Sequence, residues 1–392
     1  MEEWKEYKLG DLSLGKGSYG IGAAAVPYSP VLHTYLRITD INDDGTLNKA
    51  GLMSVNDDNA EDYILQPNDI VFARTGNSTG RTYFYNSSDG ELVYAGFLIK
   101  FSLDEKKVNP RILKFYTHSK PYYDWVRSFD TGGTRGNINA NTYASMPIVL
   151  PPRNLQDKIV SILSSLDDKI ELNRKINANL EAQAQALFKS WFVDFEPFKD
   201  QPFIESELGM IPEGWRVYCL SEFLPVITGK KDANVAKGGP YPFFSCSQDF
   251  GWTDDYSFEG NAILVAGNGD FNVKMYNGKF EAYQRTYVLI PHNPQYTAWL
   301  FYAVKYHLND ITSAARGSVI KFITKGNLAD FKFTAPQGLD KAEIIEKFDC
   351  FRRIIASNEQ QSRRLAELRD TLLPKLMSGE LKVNEIDKTY GL

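Results

Sequence analysis

The sequence predicts an α+β protein with two pseudo-repeated mixed α/β modules separated by a long antiparallel two-helix coiled coil. Three observations predict it. A heptad pattern runs along residues 151–196, a second copy of that pattern occupies residues 338–377, and the same order of strands, helix and loop precedes each.

In the first heptad stretch, Ile159, Leu166, Leu180 and Leu187 share one position, and Leu163, Ile170 and Ala184 share the other. That spacing makes an apolar seam for a partner helix. Asn173 and Asn177 interrupt the seam on the same two positions, which costs stability but can set register and orientation. The second stretch carries Ile344, Phe351, Asn358, Leu365 and Leu372 on one position and Phe348, Ile355 and Ser362 on the other. At an offset of 185 residues, Leu163 falls on Phe348, Ile170 on Ile355, Asn173 on Asn358, Leu180 on Leu365, Leu187 on Leu372, and Pro151 on Pro336. A repeat of this kind indicates internal duplication.

The first module, residues 1–150, opens with a strand-like alternation from Trp4 to Leu12 and a Gly-rich run over 15–22. Short β-branched runs follow, Asp69 to Ala73 and Leu92 to Phe101, separated by Asn/Asp/Gly/Ser turns. Arg111 to Val126 reads as one helix, and Met146 to Leu150 as the strand that enters the first long helix. Pro197 is expected to end that helix, and residues 197–214 form a connector. The second module, residues 215–337, repeats the plan. Trp215 to Phe223 echoes the Trp4 segment, Asn261 to Gly267 echoes Asn68 to Arg74, Tyr296 to Tyr306 supplies a helix, and Phe331 to Ala335 a last strand. Asp340 and Glu343 fit a capping box at the start of the second helix. Pro374 and Gly379 are expected to end it, ahead of a tail over 378–392.

Connectivity then makes the two helices antiparallel. About 40 residues at about 1.5 Å each would set the modules about 60 Å apart.

The chain has 392 residues, enough for two or three domains, with 43% hydrophobic and 13% aromatic residues. It shows no signal peptide and no apolar run near the roughly 20 residues that span a bilayer, so a cytoplasmic location is expected. Cys219, Cys246 and Cys350 are odd in number and far apart, with only four His. Reduced thiols and no structural metal are expected. The net charge of −5 leaves polyanion binding to local patches. Asp40, Asp43, Asp44, Asp57, Asp58, Glu61 and Asp62 crowd around the single Lys49, and that acidic loop should face away from a polyanion.

Motifs for chemistry are missing. Gly15 to Gly20 matches GxGxxG and Asp249-Phe-Gly251 matches the kinase metal-binding tripeptide. None of the four His sits in a catalytic-loop context, and no helix with a ribose-binding acid follows residue 20. Turn-forming glycines are the better reading of 15–20. No P-loop, nucleophile elbow or adenine-methylation motif occurs. The chain reads as a binding protein and not an enzyme.

Candidate contacts lie in loops that mix guanidinium, ammonium, amide, hydroxyl and glycine, a set suited to phosphates and base edges. In the first module they are Arg74, Thr75, Asn77, Arg81, Arg135 and Asn137. In the second they are Lys230, Lys231, Asn268, Lys274, Arg285 and Arg316.

Three strings carry a family likeness: Trp191 to Phe198, Ser206 to Trp215, and Leu368 to Leu381. They closely resemble the specificity subunit of type I restriction-modification systems, and the likeness runs through essentially the whole chain. The resemblance implies that each module is a target-recognition domain reading one half of a bipartite, gapped DNA site. It implies further that the helices set the gap and dock two methylation subunits, with restriction and translocase subunits joining. S-adenosylmethionine, ATP and magnesium are then expected on those partners and no cofactor on this chain. The alternative reading is a coiled-coil adaptor joining two protein ligands through its modules.

Overall fold

A computed structural model describes residues 4–130, 136–313, 321–339 and 343–383. The chain divides into two compact units, Met1–Glu171 with Ser362–Leu392, and Leu172–Gln361. Each long helix contributes residues to both.

The first unit opens with β1 (Lys5–Lys8), β2 (Ser18–Tyr19), β3 (Ala25–Val26), β4 (His33–Leu36) and β5 (Met53–Val55). β6 (Asp69–Ala73), β7 (Thr82–Phe84), β8 (Leu92–Tyr94) and β9 (Leu98–Ser102) follow. Then come helices α1 (Pro110–Tyr116), α2 (Lys120–Arg127) and α3 (Ala140–Ala144), strand β10 (Pro147–Leu150) and the long helix α4 (Arg153–Phe192). One four-stranded sheet has the order β2-β9-β6-β7, another β3-β5-β4-β8, and β1 pairs with β10. The central strand β6 is buried throughout because its DIVFA run has apolar neighbours on both faces.

The single helix expected over Arg111 to Val126 is two. Pro121 lacks the N–H that would bond the Thr117 carbonyl, and its ring would collide with that carbonyl. The chain therefore turns at Thr117, whose hydroxyl accepts from that of Thr82 at 2.9 Å, and restarts at Lys120. The run from Leu92 to Phe101 likewise splits at residues 95–97. β8 pairs with β4 and β9 with β6, so one apolar run serves two sheets.

The second unit holds a two-stranded ribbon of β11 (Phe203–Ser206) and β12 (Gly209–Pro212), then β13 (Trp215–Cys219), β14 (Val226–Thr228), β15 (Tyr241–Phe244) and β16 (Phe250–Thr253). β17 (Phe258–Ala266), β18 (Val273–Ala282) and β19 (Thr286–Leu289) complete its main sheet. α5 (Thr297–Tyr306), α6 (Leu308–Ser313), α7 (Lys325–Ala329), β20 (Lys332–Pro336) and the long helix α8 (Glu343–Met377) close the list. The six-stranded sheet has the order β14-β19-β17-β18-β15-β16, and β13 pairs with β20.

The duplication is visible bond by bond. β2-β9-β6-β7 and β14-β19-β17-β18 have the same order and are antiparallel at every step. Leu9 donates its N–H to Met146 at 3.1 Å, and Leu220 donates to Phe331 at 2.9 Å, at the same place beside each two-stranded pair. The fold is therefore α+β with two pseudo-repeated mixed modules and a long antiparallel helix pair.

Antiparallel pairing is read from contacts inside each unit. In the first, Ile159, Leu163 and Leu166 of α4 share a core with Leu372, Leu373 and Leu376 of α8, and Arg369 donates to Asp167 at 2.8 Å. In the second, Asn173 donates to the Gln361 side chain at 2.9 Å and Asn358 donates to Asn177 at 2.8 Å. Further along, Arg352 stands 3.9 Å from Glu181, and Phe188 packs 6.3 Å from Phe348 between ring centres. As one residue number rises its partner's falls. The Asn residues that interrupt the seam thus form one interlocked polar layer, where Asn173 also reaches the Asn358 carbonyl at 3.4 Å.

Leu180 and Leu187 are only half-buried, and Phe188 takes the enclosed place beside Phe192. α4 stops at Phe192, short of Pro197, because the N–H groups of Val193 and Asp194 both fold back onto the Lys189 carbonyl and Phe195 adopts a left-handed conformation with φ 51°. Pro374 does not end α8. It sits inside the last turn, where its missing N–H forgoes one bond, to the Asp370 carbonyl, and the helix runs to Met377 before Gly379 with φ 73°. The capping box expected at Asp340 and Glu343 falls outside the described residues in all but Glu343.

Candidate nucleic-acid interface

At one end of the shared four-strand motif the two units build the same backbone corner. In the first unit Gly20 donates to Leu98 at 3.1 Å, Ile21 to Tyr94 at 3.1 Å, Arg74 to Phe97 at 3.1 Å, and Ile138 to the Arg74 carbonyl at 3.0 Å. In the second, Gly229 donates to Thr286 at 2.8 Å, Lys230 to Ala282 at 3.0 Å, Gly267 to Arg285 at 2.8 Å, and Ile323 to the Gly267 carbonyl at 3.0 Å. Arg74 therefore corresponds to Gly267, and Phe97 to Arg285. Gly20 and Gly229 are required for contact and not for a turn. A Cβ on Gly20 would lie 2.2 Å from the Tyr94 carbonyl oxygen, and one on Gly229 would lie 2.1 Å from that of Tyr283.

This corner gathers seven of the twelve candidates. Arg74, Thr75 and Asn137 meet in the first unit, since the Ile138 bond fastens the 136–138 segment against the end of β6. Asn137 is exposed, while Arg74 and Thr75 are half-buried. The Arg74 guanidinium carbon lies 5.1 Å from the centre of the Tyr19 ring and 5.9 Å from that of Phe97. Lys230, Lys231, Asn268 and Arg285 meet in the second unit. Lys230 and Arg285 are exposed, and the Lys230 ammonium lies 5.1 Å over the Phe258 ring. Asn268 is bridged to Phe322.

Three candidates are already engaged. Arg81 lies 2.6 Å from the Asp43 carboxylate and donates to the Ile41 carbonyl at 3.1 Å, so its fork braces the acidic loop. Lys274 donates to the Ser247 carbonyl and, at 2.8 Å, to the Asn272 side chain, and burial lowers its pKa. Asn77 is exposed and has a partner of its own. Arg135 and Arg316 lie outside the described residues.

Residue-by-residue reading overlooked Tyr19, Phe97 and Phe258. Tyr19 and Phe97 are 42% and 55% exposed, and the Tyr19 hydroxyl accepts from the Ala140 N–H at 3.1 Å, which fixes the ring. The available signal was an aromatic residue directly beside a glycine, Tyr19-Gly20 and Gly96-Phe97, in a polar loop. Isolated aromatics of that kind are too common in strands to stand out.

Among the described residues, no group of three or more His, Cys, Asp or Glu is placed to hold a metal ion, and the three cysteines are free thiols. Within the same residues no helix is long and apolar enough to cross a membrane.

The family model described as the type I restriction modification DNA specificity domain matches residues 1–182 and 212–367. The chain belongs to that family. The specificity subunit of the type I restriction enzyme EcoDI from Escherichia coli is 37% identical over 178 residues, 44% of this chain and 40% of that protein, so the chain spans less than half of that relative. The HindI specificity subunit from Haemophilus influenzae is 25% identical over 478 aligned positions, covering 97% of this chain and 100% of that one. Among solved structures, the crystal structure of a type I restriction-modification S subunit from M. genitalium covers 95% of this chain and 96% of its own, with a TM-score of 0.59 and 16% identity. At that identity the likeness is one of fold. Within this family, the two matched segments each take in one of the corners.

Proposed function

We propose that this chain is the non-catalytic, DNA-reading subunit of a type I restriction-modification complex, each unit reading one half of a bipartite, gapped site. The observation that carries the reading is the corner built twice on one backbone plan with different side chains. Arg74, Tyr19 and Phe97 stand in one copy, and Lys230, Lys231 and Arg285 in the other. A constant frame with variable contacts suits two readers of different sequence, because phosphate contacts position a protein and base contacts specify. The helix pair sets the gap and docks two methylation subunits, and restriction and translocase subunits complete the assembly. Methyl transfer and ATP-driven cleavage, with S-adenosylmethionine, ATP and magnesium, belong to those partners, and the complex works in the cytoplasm. The net charge of −5 is tolerable when the partners contribute cationic surface around the DNA.

Selection from a random duplex library, with and without methylation subunits, tests this. A gapped two-part motif is expected with the partners present and weak discrimination without them. Enrichment of no motif would favour an adaptor joining two protein ligands. A second expectation concerns spacing. Inserting one heptad into both helices lengthens the preferred gap and leaves both half-sites intact, as read by the same selection. Altered half-site bases would show that the helices are not a spacer.

A further inference from the structure

The first unit holds an arginine whose orientation is set by rings and not by an acid. Arg74 is fastened through its backbone on both sides, by Phe97 at 3.1 Å and Ile138 at 3.0 Å. Its guanidinium lies against the rings of Tyr19 and Phe97. Among the described residues it has no carboxylate partner, whereas Arg37, Arg81, Arg153, Arg216, Arg352, Arg353 and Arg369 each lie within reach of one. Its Nε is enclosed without an acceptor.

We infer that Arg74 is the specificity-determining residue of the first half-site and that it reads a guanine from the major groove. The inference rests on the DNA-reading function proposed above. A guanidinium fork matches the O6 and N7 acceptors of guanine in one plane. Two rings beside the fork restrict its freedom, which lowers the ordering cost of that contact. A phosphate contact needs a cation but not a fixed plane, and the exposed Phe97 ring beside Arg74 suits a base edge or a thymine methyl better than a charged backbone.

The second unit supports the assignment by contrast. At the position of Arg74 it has Gly267, where a Cβ would fall 2.4 Å from the Arg285 carbonyl oxygen and 2.9 Å from the Tyr287 ring. No side chain fits there. The exposed guanidinium there is instead that of Arg285, at the position of Phe97, one strand away. The two corners thus present a guanidinium from different strands, so one frame gives two unlike readers.

The test is library selection with the full chain and its methylation subunits, comparing wild type, Arg74→Lys and Arg74→Gln. In both variants the preference for guanine at one position of one half-site is expected to fall about tenfold or more, with the other half-site and the gap unchanged. The unchanged half-site shows that the assembled complex is intact. Retained guanine preference in Arg74→Lys, with Arg74→Gln weakening all sequences alike and lowering the salt dependence, identifies a phosphate contact and overturns the assignment. A wild-type motif with no guanine in the half-site tied to the first unit overturns it as well. Absence of any wild-type motif overturns the underlying function and the assignment with it.

Discussion

Replacing Phe188 by alanine is expected to cost the second unit about 4 kcal/mol. The ring is 1% exposed. Its centre lies 5.1 Å from that of Phe192, 5.6 Å from Tyr306 and 6.3 Å from Phe348. Those neighbours stand on three helices, α4, α5 and α8, each held by its own backbone ladder. The space left by the ring therefore cannot collapse, and the cavity adds to the lost transfer energy. Leu187→Ala, one residue earlier and half-buried, should cost clearly less. Denaturant unfolding followed by tryptophan emission reads this directly, since Trp215 and Trp299 sit in the same core. A loss below about 1 kcal/mol for Phe188→Ala, within the range of surface changes, would place the ring outside the packed core.

Acid should destabilise the first unit in two stages. Burial, helped by the nearby Arg369 cation, holds the His118 imidazole down to about 4. Asp44, Lys114 and Asp167 also face it, and Tyr123 meets it at 3.2 Å. The unfolded chain would protonate this group near pH 6.5. Between those values the unfolded state binds more protons than the folded one, so stability present above pH 6.5 is lost as pH falls toward 4. The full loss is about 3 kcal/mol. The second stage comes lower. Burial raises the Asp167 carboxyl, but Lys114 and Arg369 outweigh it and hold the group below its usual range. Its contribution is therefore present above the unfolded carboxylate pKa and is lost only on further acidification. Melting temperature scanned from pH 7.5 to 4.5 should fall steeply in the wild type and less so in His118→Gln, with His33, His292 and His307 common to both. Parallel curves would show that the imidazole protonates without penalty.

Much of the architecture was legible because it is periodic. Ile159, Leu163, Leu166 and Ile170 announced a helix seam, and Phe348, Ile355 and Leu372 announced its partner. Both follow from the 3.5-residue repeat that a coiled seam requires. Strand β6 was legible for the same kind of reason, as a run apolar on both faces. Breaks in the pattern were harder. Pro121 divided one expected helix into α1 and α2, and Pro374 was absorbed into the last turn of α8. A proline forgoes its own N–H bond and crowds the carbonyl four residues before it, and whether that ends a helix depends on the packing around it, which composition does not state.

The candidate interface was legible only as loops. Arg74 and Arg285 could be picked out as guanidinium groups among glycines and amides. Nothing in their own neighbourhoods distinguished them from Arg81 or Lys274, whose charges are spent on Asp43 and on the Ser247 and Asn272 oxygens. The contacts with Asp43 and Ser247 join residues well separated in the chain.

By itself, the sequence determined the duplication, the two heptad helices and the Asn residues that interrupt their seam, because these depend on spacing along one chain. Only the tertiary structure decided that Asn173 meets Gln361 while Asn177 meets Asn358, since an antiparallel register is set by the packing of side chains on both helices. The same holds for the corner. The ring pair around Arg74 and the closed space at Gly267 arise where separate strands converge, and which cations stay unpaired is a property of that convergence and not of any local stretch.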